Sequence, residues 1–269
     1  MKISAIQMCS SHSIRQNLRN AAKLIEEAAD EGSKLIALPE MFAIMGLNVS
    51  DALDNQEAFG HGLIQDFLSE QARLHKIWIV GGTIPIATEN KDKFRAASLL
   101  YNDKGEVAAR YDKIHLFDVD LSKTEQYRES SSTEAGNEAV VVDTPVGKLG
   151  MAVCYDLRFP ELFRALMNKG AEVIVLPSAF TQKTGEAHWE ILVRARAIEN
   201  FCYVIAPNQG GTHTSGRKTY GHSLIVDPWG KIIAKSEGVE PGVISAVVDL
   251  DYLKEVRRSI PALKNCRLS

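Results

Sequence analysis

The sequence has few of the residues that cross-link a fold or bind a metal. Its 269 residues include four cysteines, none of them in a C-x-x-C pair, and seven histidines without metal-ligand spacing. An H-E-x-x-H motif is also absent. We therefore expect no disulfide framework, no zinc site and no cofactor. Scattered cysteines of this kind are typical of a reducing compartment, so we predict a cytoplasmic protein.

Excess positive charge and long apolar runs are also lacking. Lys and Arg number 31 against 34 Asp and Glu, a net charge of −3, so nucleic acid and anionic lipid are not expected partners. The apolar runs are too short to span a bilayer, and the polar start from Met1 to Met8 is not expected to be a signal peptide. With 45% hydrophobic and 24% charged residues, the composition is that of an ordinary soluble globular protein.

Patterns typical of strands and helices alternate along the first half of the chain. The predicted elements are a strand over 2–8, a helix capped by Ser13 and ended by Gly32, a buried strand from Leu35 that stops at Glu40, a loop over 43–60, a helix over 63–76, a broken strand over 77–86 and a hairpin over 96–110.

The second half of the chain repeats the first. Segment 32–42 aligns without a gap on 170–180, and 98–105 matches 223–230 in length and turn position. We therefore predict one α/β domain over 1–269, with two pseudo-symmetric halves that each form a sheet covered by helices and pack sheet to sheet.

The two copies of the repeat differ at two positions where the first copy has a residue that could be catalytic. Glu40 aligns with Ser178, and Lys113 aligns with Gly238. A residue needed only for the fold could be the same in both copies, so the difference indicates that Glu40 and Lys113 have another role.

Cys154 ends an apolar run of β-forming residues, and a helix is predicted to begin shortly afterwards at Pro160. Such a corner presents a side chain at the sheet edge, as a nucleophile elbow does. We expect the helix N-terminus and nearby backbone N–H groups to favour the thiolate. A buried structural cysteine is the alternative.

Glu40, Lys113 and Cys154 each follow an apolar β segment, so all three could meet at one sheet edge. Acyl transfer needs an activated nucleophile, a proton acceptor and a positive group where the oxyanion develops. Cysteine, glutamate and lysine supply these three parts. Taken singly, Glu40 could be a surface carboxylate and Lys113 a solvated strand end.

Three segments resemble the motifs of the nitrilase (carbon–nitrogen hydrolase) superfamily, in the same order. They are Leu-Pro-Glu-Met-Phe at Glu40, Tyr-Asp-Lys-Ile-His-Leu-Phe-Asp at Lys113, and Gly-Met-Ala-Val-Cys-Tyr-Asp-Leu-Arg-Phe-Pro-Glu at Cys154. The resemblance covers essentially the whole chain. It implies a four-layer αββα sandwich, often a homodimer, in which Glu40 is the base, Lys113 the cation and Cys154 the nucleophile.

Two segments resemble one branch of this superfamily more closely. Segment 177–190 is similar to deaminated glutathione amidases and ω-amidases, and 220–230 looks closer to the former. The resemblance implies hydrolysis of an amide through a thioester, with deaminated glutathione giving 2-oxoglutarate and cysteinylglycine. An ω-amidase acting on 2-oxoglutaramate is the alternative. The segment after Asp120 departs from the family, because Leu-Ser-Lys-Thr-Glu replaces a stretch that often contains Pro-Gly.

The resemblance and the positive charge of one arginine indicate further site residues. Glu129 matches a second family carboxylate that could position Lys113 or the substrate, and the Tyr155 N–H is expected to help hold the oxyanion. Arg158 is a candidate to bind a substrate carboxylate, with an ion pair to a neighbouring acid as the alternative. Turn 181–188 and loop 121–134 are expected to decide between the substrates. Thr184 and His188, in that turn, are the other candidate substrate-binding residues.

Two other functions remain open from the sequence. A Cys–His hydrolase would use His115 as its base, although no third residue is marked to orient it. A non-catalytic binding or scaffold protein would be marked by loss of one of the three central residues, and none is lost.

For a homodimer, the helix around 159–166 and the tail after Pro261 carry apolar residues that could form an isologous interface.

Overall fold

The computed structural model describes residues 1–48, 50–123 and 125–267, and it contains two large β-sheets with helices outside them. The strands are β1 (Lys2–Gln7), β2 (Leu35–Ala37), β3 (Trp78–Val80), β4 (Ile84–Ala87), β5 (Phe94–Tyr101), β6 (Val107–Asp112), β7 (Asp118–Asp120), β8 (Gln126–Arg128), β9 (Val141–Thr144), β10 (Gly147–Met151), β11 (Val173–Val175), β12 (Tyr203–Ala206), β13 (Gly210–Thr212), β14 (Lys218–Tyr220), β15 (Leu224–Val226), β16 (Ile232–Lys235) and β17 (Gly242–Val247). The helices are α1 (Ile14–Asp30), α2 (Ser50–Asp54), α3 (Leu63–His75), α4 (Pro160–Asn168), α5 (Gln182–Asn200), α6 (Leu250–Ser259) and α7 (Ala262–Asn265), with 3₁₀ turns at Glu129–Ser131 and Cys154–Arg158.

The two large sheets share one strand plan. The first has the order β17-β1-β2-β3-β5-β4, with β6 also paired to β5, and the second has the order β16-β15-β12-β11-β10-β9. In each, three parallel strands joined by helices are followed by antiparallel strands, so β1-β2-β3-β5-β6 corresponds to β10-β11-β12-β15-β16. The aligned segments 32–42 and 170–180 contain β2 and β11. The prediction of two pseudo-symmetric halves is confirmed.

Both faces of each sheet are buried, as parallel strands require. On the first sheet, Leu35 and Ala37 pack into a core shared with Met151 of the second sheet. Ile36, between them, points to the opposite face and packs with residues of α1 and α3. Helices α4 and α5 contact β10 and β12 and cover the outer face of the second sheet. The layers are therefore helix, sheet, sheet and helix, and the predicted αββα sandwich is confirmed.

Several local predictions differ from the structure. Ser13 is the N-cap of α1, but its side chain accepts no capping hydrogen bond. The predicted loop over 43–60 contains the short helix α2, beside which the Asp51 carboxylate accepts the N–H groups of Leu47 and Asn48. Loop 121–134 includes β8, which pairs with β7. The turn at Asp51 depends on short-range polar contacts that the hydrophobic pattern does not contain.

None of the described helices combines the length and the hydropathy needed to cross a membrane.

Candidate active site

Glu40 lies just beyond β2, at the carboxyl end of the parallel strands. Its carbonyl oxygen accepts the Gln209 Nε2–H at 3.0 Å. On the other side, Gly82 has φ +54°, and a Cβ on it would collide with the Pro39 carbonyl oxygen. The glycine break predicted in the strand over 77–86 therefore allows the backbone at Gly82 to pack closely against the backbone just before Glu40.

Lys113 follows β6 and brings two carboxylates together. Its Nζ donates to Glu40 Oε1 at 2.7 Å and to both carboxylate oxygens of Glu129, at 2.9 and 2.8 Å. Glu129 begins a 3₁₀ turn, and its Oε2 also accepts the Phe117 N–H at 2.6 Å. The contact expected between Glu129 and Lys113 is present, and it fixes the ammonium group in three directions.

The surrounding carboxylates stabilise the Lys113 ammonium. Burial alone would lower the pKa of Lys113, but the nearby Glu129 and Glu40 carboxylates more than offset burial and hold that pKa above its ordinary value. Burial and the Glu40 charge raise the pKa of Glu129, while Lys113 opposes the rise. Two carboxylates therefore share one ammonium, and their charges favour the protonated form of Lys113.

Cys154 is at a strained corner between β10 and the 3₁₀ turn Cys154–Arg158. Its N–H donates to the Pro177 carbonyl at 3.0 Å, and its φ is +45°, a left-handed conformation that is uncommon outside glycine. Such strain is found most often at functional sites. Pro160 is the first residue of α4, as predicted, but the 3₁₀ turn separates α4 from Cys154.

The expected thiolate is contradicted by the surroundings of Cys154. Burial is the largest influence on its pKa and the Glu40 charge is the next, and together they raise the pKa well above that of an ordinary thiol. Lys113 and a hydrogen bond from the Ala179 N–H lower it by less. A helix that begins only at Pro160 does not outweigh these effects. The raised pKa favours the thiol over the thiolate at Cys154, which the Glu40 side chain contacts.

A cavity of about 350 Å³ opens onto Glu40, Lys113 and Cys154. Tyr155 and Thr184 also line it, and the Tyr155 N–H is in the first turn of the 3₁₀ segment, where N–H groups have no partner within the helix. Much of the remaining wall is apolar and includes Met41, Ile44, Met45, Leu47, Ile84, Pro85, Phe94, Phe117 and Phe180.

The sequence matches a family model described as carbon–nitrogen hydrolase over residues 2–258. The chain belongs to the carbon–nitrogen hydrolase family. The predicted superfamily is thereby confirmed, and so is the predicted enzyme class, a hydrolase of carbon–nitrogen bonds other than peptide bonds.

Named relatives are similar over most of their length. A deaminated glutathione amidase of Yersinia enterocolitica is 44% identical over 98% of this chain and 92% of its own. A deaminated glutathione amidase of Homo sapiens is 42% identical over 98% of this chain and 82% of its own. The crystal structure of Saccharomyces cerevisiae Nit3, a member of branch 10 of the nitrilase superfamily, has a TM-score of 0.89 at 34% identity and covers 100% of this chain and 97% of its own.

In this hydrolase His115 has a structural partner that the sequence did not reveal. The buried Asp156 carboxylate accepts the Tyr111 hydroxyl at 2.7 Å, the Val153 N–H at 2.8 Å and the His115 N–H at 3.1 Å. The His115 ring nitrogen Nδ1 is 2.6 Å from the same carboxylate, and the ring stacks on Phe159. Asp156 thus links the segment around Lys113 to the segment around Cys154. His115 is not among the described residues that line the cavity.

Arg158 and His188 lie outside the cavity of this hydrolase. The Arg158 guanidinium is centred 5.9 Å from the Tyr155 ring and 5.5 Å from the Phe180 ring, and its Nη1 is 3.3 Å from His188 Nδ1. No ion pair of Arg158 with an acid occurs among the described residues. Arg158 packs on two aromatic rings that line the cavity, and neither Arg158 nor His188 lines it, so the geometry does not support the predicted direct contact with substrate. Of the three predicted substrate-binding residues, only Thr184 lines the cavity.

Arg217 lines the cavity, although sequence reasoning did not identify it. It is in the connection between β13 and β14, and its Nη2 donates to the Ala179 carbonyl at 2.9 Å. Nothing in the local sequence distinguishes a site residue from any other arginine in a polar hairpin connection. Only the pairing of β13 with β14 near Ala179 places this side chain in the site.

Proposed function

We propose that this hydrolase is a cysteine-dependent amidase that works through a thioester. The observation that carries the proposal is the convergence of Glu40, Lys113 and Cys154 on one cavity. The raised pKa of the thiol supports a role for Glu40 as general base, because a thiol with such a pKa is a poor nucleophile until its proton is removed.

In the acylation half-reaction, Glu40 takes the Cys154 proton as Sγ attacks the amide carbonyl carbon. The carbonyl oxygen becomes an oxyanion, which the Lys113 ammonium and the Tyr155 N–H stabilise. Glu40 then gives the proton to the nitrogen as the C–N bond breaks, so the amine leaves and a thioester remains.

In the deacylation half-reaction, Glu40 takes a proton from water as the water oxygen attacks the thioester carbonyl. The C–S bond breaks, the carboxylic acid leaves and the proton returns to Cys154. Glu129 positions Lys113 by accepting hydrogen bonds from its Nζ, and so holds the positive charge beside the cavity in which the oxyanion forms.

Deaminated glutathione is the substrate we favour, with release of 2-oxoglutarate and cysteinylglycine. The names of the relatives at 44% and 42% identity support this choice. The cavity volume of about 350 Å³ is within the range of ligand pockets, and it offers more room than the ammonia leaving group of 2-oxoglutaramate needs. The ω-amidase activity on 2-oxoglutaramate is the second candidate.

Comparison of kcat/KM for the two amides on one preparation tests the substrate. We expect deaminated glutathione to be preferred by at least roughly tenfold, because its dipeptide leaving group can contact the apolar wall. A preference for 2-oxoglutaramate would place the protein among ω-amidases and leave the roles of Glu40, Lys113 and Cys154 unchanged.

A cytoplasmic location remains our proposal. The scattered placement of the four cysteines in the sequence supports this proposal.

We also propose a homodimer. Of the two segments that the sequence suggested for its interface, the tail after Pro261 has no buried residue in α7 and remains a candidate, but the helix does not. On the predicted helix 159–166, Leu162, Phe163 and Leu166 are buried in the chain's own core and cannot face a partner. Exposed apolar side chains occur instead on α5 and on the turn after β15, where Ile191 is 70% exposed and Trp229 56% exposed.

Ile191→Glu should shift the dimer toward monomer, because it places a charge in this apolar surface. Sedimentation velocity at micromolar concentration measures the change. Leu74→Glu is the matched control, since Leu74 on α3 is 64% exposed and lies on the other helical layer, so this variant should stay dimeric. A monomeric wild-type protein would contradict the proposal.

A further inference from the structure

One charged group that lines the cavity has no charged partner. Among the described residues, the charged side chains of the lining are Glu40, Lys113, Arg128, Glu129 and Arg217. Lys113 binds both glutamates, and Arg128 forms an ion pair with an exposed aspartate at 2.6 Å. Arg217 forms no ion pair with any described carboxylate. Its guanidinium is therefore the cation of this cavity that is available to a ligand.

The Arg217 side chain is held in place by contacts that leave its charge unneutralised. Its Nη2 donates to the Ala179 carbonyl at 2.9 Å, and the guanidinium lies over the Tyr127 ring with its centre 5.2 Å from the ring centroid. Its Nε is buried and has no hydrogen-bond partner among the described residues. A buried charged donor without an acceptor is unfavourable, and a bidentate anion would satisfy it.

The guanidinium is also close to the nucleophile. The Ala179 N–H hydrogen-bonds to Cys154 Sγ, and the carbonyl of the same residue accepts the Arg217 hydrogen bond. Since one residue of backbone spans at most about 3.6 Å, the guanidinium lies within roughly 10 Å of Sγ. An acyl chain of a few carbon atoms attached to Sγ can reach it.

We propose that Arg217 is the residue that binds the carboxylate at the far end of the substrate's acyl group. This inference rests on the proposed amidase function and specifies the acyl side of its substrate. The two glutamates around Lys113 repel a substrate carboxylate, and Arg217 attracts it at another point of the cavity. Together they orient the chain with its amide carbonyl, rather than its carboxylate, at Cys154.

Arg217→Gln tests the inference, because glutamine can still donate to the Ala179 carbonyl but carries no charge. The probes are 2-oxoglutaramate and its methyl ester, which release the same ammonia and differ in the terminal charge. We expect the wild-type protein to prefer the carboxylate, and R217Q to lose that preference by roughly 10- to 100-fold in kcat/KM. The loss of kcat/KM in R217Q should be smaller on the methyl ester than on the carboxylate.

Arg128→Ala is the matched control, since Arg128 lines the same cavity but is already paired, and it should keep the preference for the carboxylate. An unchanged preference in R217Q would overturn the inference. Equal loss on both amides in R217Q would also overturn it, because that result means that Arg217 only supports Ala179.

A binding measurement separates this inference from the proposed function. Glutarate is titrated calorimetrically into Cys154→Ala and into the Cys154→Ala, Arg217→Gln double variant. Weakening of glutarate binding by roughly tenfold or more in the double variant supports the carboxylate site even if no amide is hydrolysed. Equal affinity in the two variants overturns the site, whatever the activity of the wild-type protein.

Discussion

Cys154→Ala should lower kcat/KM for amide hydrolysis by roughly 10⁴- to 10⁶-fold, the range seen when a covalent nucleophile is removed. Without Sγ no thioester can form, and Glu40 is left to activate water in a cavity shaped for acyl transfer. Cys154→Ser should fail similarly, because a hydroxyl is a weaker acid and a poorer nucleophile than a thiol in the same position. The measurement is release of amine or ammonia under single- and multiple-turnover conditions.

Cys202→Ala is the matched control for this prediction. Cys202 is also buried, and burial raises its pKa to about 12, but it lies in the core away from the cavity. The variant should keep wild-type kcat/KM apart from a modest loss of stability. Mass spectrometry of the wild-type protein with a slow amide should show an acyl adduct on Cys154 alone. Hydrolysis by Cys154→Ala at the wild-type rate would refute the thioester mechanism.

Lys113→Met should abolish activity and lower the free energy of unfolding by about 3–5 kcal/mol at neutral pH. Methionine fills much the same space but leaves the Glu40 and Glu129 carboxylates close together without their shared ammonium. Urea unfolding measures the stability, and kcat/KM measures the loss of the cation proposed to hold the oxyanion.

The pH dependence of this variant follows from Glu129. Burial and Glu40 raise its pKa in the folded wild-type protein, and removal of Lys113 takes away the charge that opposes the rise. A carboxyl whose pKa is raised by folding favours the folded state less as pH increases through that pKa. The stability difference between Lys113→Met and wild type should therefore be smallest at acidic pH and complete at neutral pH.

The double variant Lys113→Met, Glu129→Gln separates the two effects of the lysine. It removes one of the uncompensated charges, so it should regain part of the lost stability. It should remain inactive, because the proposed oxyanion group is still missing. Recovery of activity in the double variant would show that Lys113 serves only to hold the carboxylates.

Much of the fold was predictable because it depends on local periodicity and on an internal repeat. Segments 32–42 and 170–180 share the same apolar run and the same Leu-Pro corner, and they contain the equivalent strands β2 and β11. The three central site residues were predictable for a related reason. Glu40, Lys113 and Cys154 each come soon after a strand, and the resemblance to family motifs added their proposed roles.

The composition and order of residues therefore determined the α/β sandwich, its two halves and the positions of the glutamate, lysine and cysteine. Only the tertiary structure decided which further groups join them. Arg217 reaches the cavity and Arg158 does not, because side-chain direction depends on the packing of elements far apart in the chain. The pKa of Cys154 is likewise raised rather than lowered, because burial and the Glu40 charge act through space and outweigh the local helix start.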